Sequence, residues 1–119
     1  MTRVLIVDDE YGLLDALALV LADEGYEVST ALNGREGLAR VAEKRPDVVL
    51  LDYMMPIVDG PQMLEHLRAD PKTADIPVAM MSAVANTTVR QKVRVDAVLR
   101  KPFELTDALE TIARLVKRP

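Results

Sequence analysis

The stretch VVLLDYMMPIVDG, Val48–Gly60, decides the fold. Four uncharged Val and Leu residues run into one carboxylate, Asp52, and Pro56 and Gly60 then break the chain's regularity. A short continuous apolar run bounded by turn residues reads as a strand buried on both faces. Runs of the same kind occur at Val4–Val7 and Val78–Met81, with weaker ones at Glu27–Ala31 and Val95–Leu99. Helical spacing fills the intervals. Leu14, Leu17, Ala18 and Leu21 recur at i, i+3, i+4 and i+7, and Gly25 stands where a helix C′ glycine would. Asn33 with Glu36 three residues on opens a second helix through Leu38, Val41 and Ala42, which Arg45-Pro46 ends. A third follows Gly60 and Pro61 with Met63, Leu64 and Leu67, closing near Asp70-Pro71. The fourth, from about Asn86, is short and polar around Val89 and Val93, and the fifth carries Leu105, Leu109, Ile112 and Val116. Five such βα units without a repeat or linker predict one α/β domain, a parallel sheet with helices on both faces.

Composition bounds the function. A chain of 119 residues, half of them apolar, can bury a core without staples. The absence of Cys excludes a disulfide scaffold and a thiolate metal site, and fits a cytoplasmic location. Fifteen Lys and Arg against nineteen Asp and Glu give a net charge of −4. That charge, with one Phe, three Tyr and no Trp, disfavours direct nucleic acid binding. No apolar run approaches the roughly 20 residues that span a bilayer, so no membrane partner is expected.

In a parallel sheet every strand delivers its carboxyl end to one edge, where ligands bind. Asp8 and Asp9 follow the first run, Asp52 ends the third, Ser82 ends the fourth and Lys101 follows the fifth. These five groups are expected to meet. Three carboxylates at one edge repel, and either raised pKa values or a hard divalent cation relieves the repulsion. Taken alone, Asp8-Asp9 also reads as a capped helix start, Ser82 as a turn former and Lys101 as a solvated loop residue. Together with Asp52 they read as a Mg2+ and phosphate site, with small Ala83 leaving access to it. His66, the single His, lies within the third helical pattern, so Ser82 has no general base for a hydrolase triad. Gly34 and Gly37 belong to a helix start, and no glycine-rich phosphate loop is present. The six Met residues read as packing. What remains is phosphoryl transfer to a carboxylate, with Asp52 as nucleophile, Mg2+ and Lys101 neutralising the group, and Ser82 hydrogen-bonding it.

VLIVDDE, VVLLDYMMPIVDG, MMSA and LRKPF, in this order along the whole chain, resemble the receiver domain of two-component response regulators. The resemblance implies a flavodoxin-like, doubly wound five-stranded parallel sheet of order 2-1-3-4-5, with residues 1–119 forming one phosphoacceptor domain. It implies that Asp52 takes a phosphoryl group from the phosphohistidine of a sensor histidine kinase or phosphotransfer protein, or from acetyl phosphate. It further implies Mg2+ held by Asp9, Asp52 and the Met54 backbone carbonyl, with Asp8 acting through water. Lys101-Pro102 matches a family pair whose peptide is usually cis. The phosphoryl group would shift the domain between two conformations that control a downstream protein or an attached output domain, as a monomer or a phosphorylation-dependent dimer.

Two departures stand out. Val98 occupies the place where the family usually has a switching Tyr or Phe. The stretch from Ser82 to Lys101 is short by roughly one helical turn, with Arg94-Val95 in place of a Gly-Ala pair. Ordering of the short fourth helix is the expected route to output. A non-switching interaction module is the alternative that these departures favour. An aspartate-nucleophile phosphatase would want a second Asp where Met54 stands, so the chain is not expected to be an enzyme. The apolar side chains of Met54 and Val84 imply slow self-dephosphorylation. No output domain is expected after Leu105–Lys117, the chain closing at Arg118-Pro119 as a stand-alone receiver or one cut from a longer protein.

Overall fold

The computed structural model describes residues 1–117, without the side chains of Asn86 and Lys92; the chain's close at Arg118-Pro119 lies outside the described residues. Ten elements alternate along the chain: β1 (Arg3–Val7), α1 (Tyr11–Asp23), β2 (Glu27–Ala31), α2 (Gly34–Glu43), β3 (Val48–Asp52), α3 (Gly60–Ala69), β4 (Val78–Ser82), α4 (Asn86–Lys92), β5 (Ala97–Arg100) and α5 (Leu105–Val116). All strand pairs are parallel, in the order β2-β1-β3-β4-β5. The flavodoxin-like doubly wound sheet expected from the sequence is therefore the observed fold, with its order reversing between β1 and β3.

The continuous apolar runs make sense once the sheet is double-faced. Alternation sends Val4, Ile6, Val48, Leu50, Ala79 and Met81 to one side, where α1 and α5 cover them. Leu5, Val7, Val49, Leu51, Val78 and Met80 face the other side, under residues of α2, α3 and α4. Each of these twelve strand residues is at most 1% exposed, so a polar substitution on either face would be buried without a partner.

Local signals fix the helix ends. Gly25 adopts φ 94° just past α1, a conformation that costs a side chain but not a glycine. The Asn33 side chain accepts from Glu36 N at 2.9 Å to start α2. At α3, Asp59 and Gln62 form a reciprocal capping box ahead of Pro61.

One expected element shifts. The last strand is Ala97–Arg100 rather than Val95–Leu99. The Asp96 carboxylate is the reason: it accepts from Val78 N at 2.8 Å and from the Arg68 guanidinium at 3.2 Å, tying the strand's entry down with its side chain. Arg68 also donates to the Ala74 and Ile76 carbonyls, so one guanidinium clamps the α3–β4 connection. In α5 the fully buried stripe is Ala108, Thr111, Ile112 and Leu115, whereas Leu105, Leu109 and Val116 are only half-buried. Thr111 fits there because its hydroxyl donates to the Asp107 carbonyl at 2.8 Å.

Candidate functional site

Asp8 leaves β1 buried, with 0% exposure, and its backbone N donates to the Ala31 carbonyl of β2. One carboxylate oxygen accepts from Glu10 N at 2.9 Å, which holds the β1–α1 turn. The other accepts from Lys101 Nζ at 3.0 Å. The same ammonium lies 3.3 Å from Asp52 Oδ1, so Lys101 bridges carboxylates from two neighbouring strands. Lys101 is aimed by its own backbone: its N donates to the Ser82 carbonyl at 2.7 Å, and the Lys101–Pro102 peptide is cis, as the resemblance implies. Asp9 is exposed at the mouth. One oxygen from each of Asp8, Asp9 and Asp52 can be chosen so that all three lie within 4.8 Å of one another.

Three carboxylates face one ammonium here, and the electrostatics follow. Burial pushes the Asp52 carboxyl up to about 7, the charge of Asp8 pushes in the same direction, and Lys101 pulls back against both. Burial acts to lower the Lys101 pKa, but its hydrogen bond to Asp8 and the charge of Asp52 outweigh that and raise it. Such a set of hard oxygen donors, short of positive charge, could hold a divalent cation.

Ser82 ends β4 beside β3, in a ladder that pairs Asp52 with Met81. Its hydroxyl accepts from Val84 N at 3.0 Å. Exposed Ala83 leaves that approach open, while its carbonyl accepts from Arg100 Nε at 3.2 Å. This last contact had no sequence signal, because it depends on β5 lying beside β4. Val98 is half-buried in the core layer on the α4 side. His66 is exposed on α3 and takes no part.

The β3–α3 loop is folded tightly onto the strand it leaves. Tyr53 N donates to the Met81 carbonyl and Gly60 N to the Tyr53 carbonyl. A Cβ on Gly60 would collide with the Asp52 carbonyl oxygen, which is why a glycine closes the opening stretch. Between them Ile57, exposed and β-branched, sits at φ 70°. That conformation costs an L side chain about 1–2 kcal/mol. Ile57→Asn is therefore expected to stabilise the protein by about 1 kcal/mol. Urea unfolding would read this as a raised midpoint at constant slope; an unchanged midpoint would contradict it.

Methionine was expected to serve packing throughout, and the structure corrects this. Met63, Met80 and Met81 are fully buried, but Met54 is 70% exposed at the mouth and Met1 is 87% exposed. Position 54 lies in the β3–α3 loop, at the end of the strand rather than under a helix layer, and its side chain stays exposed.

Among the described residues no helix is long and apolar enough to cross a membrane. The family model of the response regulator receiver domain matches residues 4–113. The chain is 36% identical, over 99% of its length, to the DNA-binding dual master transcriptional regulator RpaA of Synechocystis, and 38% identical, over 98%, to the transcriptional regulatory protein PrrA of Mycobacterium leprae. It spans about half the length of these curated relatives, 50% of each. Among solved structures, the chemotaxis protein CheY4 of Vibrio cholerae superimposes with a TM-score of 0.91 at 32% identity, covering 97% of this chain and 98% of that one. The fold, the strand-end cluster and these likenesses agree, and the chain belongs to the response regulator receiver domain family.

Proposed function

We propose that the chain is a phosphorylation-dependent switch of two-component signalling, with Asp52 as its phosphoacceptor. The observation that carries this reading is the buried Asp52 carboxylate held 3.3 Å from Lys101, at a strand end shared with Asp8 and Asp9. An Asp52 oxygen attacks the phosphorus of a phosphohistidine or of acetyl phosphate. The new P–O bond makes an acyl phosphate, and the old P–N or P–O bond breaks with its electron pair leaving on imidazole or acetate. Lys101 meets the charge of the transferred group, and the Ser82 hydroxyl, which accepts from Val84 N, donates its own proton to a phosphoryl oxygen.

The residues fit a Mg2+ ion, because the donor set is all oxygen and three carboxylates there gather within reach of one ammonium. Asp8, Asp9, Asp52 and the Met54 backbone carbonyl would hold it, and it would supply charge neutralisation for the transferring group.

Receiver domains are switches rather than enzymes in the ordinary sense. Slow self-dephosphorylation is nonetheless proposed, since apolar Met54 and Val84 at the mouth orient no water. Half-buried Val98 leaves no aromatic to swing inward, so movement of the β4–α4 loop reaches output through the short α4 (Asn86–Lys92). The phosphodonor protein, a sensor histidine kinase or phosphotransfer protein, has an apolar landing surface in α1. Tyr11, 65% exposed, opens the helix two residues after Asp9, and Leu19, 73% exposed, follows about two turns further along it. Residues 1–119 act as one receiver domain in the cytoplasm, controlling a downstream protein or an attached output domain, as a monomer or a phosphorylation-dependent dimer. The short α4 and Val98 favour a second reading, a receiver-like interaction module that no longer switches.

Incubation with acetyl phosphate and Mg2+ tests this by intact mass. A phosphoryl adduct is expected on the wild type and absent after chelation, decaying slowly once donor is removed. No adduct would favour the interaction module, and a lifetime of seconds would contradict the apolar mouth.

A further inference from the structure

We propose that Met54 is an oxidation site whose sulfoxide speeds the loss of the phosphoryl group from Asp52. The proposal rests on Asp52 as acceptor and adds to it a second, redox input. Of the six methionines, Met63, Met80 and Met81 are 0% exposed and Met55 packs against the core. Met1 and Met54 are the two broadly exposed methionines, and of the two Met54 lies at the site. It lines a cavity of about 290 Å3 with Asp9, Met55, Pro56 and Asp59, two residues after the acceptor.

The chemistry at that place is specific. A peroxide transfers one oxygen to the Met54 thioether: the sulfur lone pair forms the S–O bond, the O–O bond breaks, sulfur is oxidised, and hydrogen peroxide is reduced to water. A flexible apolar side chain thereby becomes a polar hydrogen-bond acceptor. Other acceptors around the cavity are committed. Asp59 caps α3 through Gln62 N at 2.9 Å, and Asp9 belongs to the proposed cation site. The sulfoxide oxygen accepts a hydrogen bond from water approaching the phosphorus opposite the Asp52 oxygen. The water oxygen bonds to phosphorus as the P–O bond to Asp52 breaks, the electron pair of the broken bond returns to the carboxylate, and both water protons leave with the inorganic phosphate. One added hydrogen bond to the attacking water predicts about fivefold faster decay.

The test treats the protein with hydrogen peroxide, maps oxidised peptides, phosphorylates it with acetyl phosphate and Mg2+, and follows the adduct by intact mass. Oxidation is expected at Met54 and Met1 and not at Met63, Met80 or Met81, with decay about fivefold faster. Methionine sulfoxide reductase should restore the original decay. Met54→Leu should decay at one rate with or without peroxide. Met54→Gln, which places an amide oxygen at similar reach, should decay faster than wild type without peroxide. Oxidation of the buried methionines in preference to Met54 overturns the proposal, as does unchanged decay in protein shown to be oxidised at Met54. An untreated protein that takes no phosphoryl group overturns the acceptor reading and, with it, the effect on decay. Those three failures are distinguishable by peptide map and mass.

Discussion

Asp52→Asn is expected to abolish the phosphoryl adduct completely and, at pH 8 without Mg2+, to make the protein more stable. The loss follows because an amide cannot act as the nucleophile. The gain follows because the side chain, 8% exposed, holds a charge that burial and Asp8 disfavour. The folded-state pKa is about 7, against an ordinary value of 3.8. Between those two pH values the folded wild type holds a proton that the unfolded chain has released, so its stability falls as pH rises through that window. Above pH 7 the full cost is present, on the order of 3 kcal/mol, and Asn removes it. For a chain of this size that is a rise in melting temperature of about 10 °C. Below about pH 3, where Asp52 is largely protonated in both states, the two proteins should melt together. Mg2+ should then stabilise the wild type far more than the variant, by mass action on the folded state. Equal melting curves at pH 8 would contradict the buried charge, and an adduct on Asp52→Asn would place the acceptor elsewhere.

Lys101→Met is expected to have the opposite effect on stability. Its ammonium, 21% exposed, is held by Asp8 at 3.0 Å and Asp52 at 3.3 Å, and Asp8 is wholly buried. Removing one partner of such a pair strands the other charge, at a cost of about 3 kcal/mol or more at neutral pH. Lowering the pH should reduce that cost, since the stranded carboxylates can take up protons. Adding Mg2+ should recover part of it by supplying another cation. Phosphorylation by acetyl phosphate should slow on the order of 100-fold, because a positive charge aimed at the transferred group is lost. Chemical denaturation across pH, with adduct formation followed by mass, reads all of these. Unaltered stability at pH 8 would mean that Lys101 is not holding Asp8.

These two variants mark where reading residues in order stops being sufficient. The strand-end positions of Asp8, Asp52 and Ser82 were legible because each is set by a local pattern, an apolar run and the turn that ends it. The cap of Asn33 on Glu36 N and the stop at Gly25 were legible for the same reason. Lys101 was legible as a member of the cluster, yet it read as a charge for phosphate, whereas it first neutralises Asp8 across 93 residues of chain. The start of β5 was misplaced by two residues because Asp96 spends its side chain on Val78 N, a contact made only after β4 and β5 align. The apolar residues read for α5 all pack on the core, Ile112 fully buried and Leu105, Leu109 and Val116 partly, and periodicity records that direction without its depth.

The sequence alone therefore determined the α/β class, the order of elements, the carboxyl-end edge as the place where the charged groups meet and the residue types gathered there. These are consequences of periodicity, capping and strand polarity, which act within a few residues. Only the tertiary structure decided which charges pair, how far burial lifts Asp52, that Ile57 is held at positive φ, and that Met54 faces solvent while Met80 and Met81 do not. Those properties depend on which groups distant in sequence arrive beside one another and on how much water they exclude, and closure of the sheet fixes both.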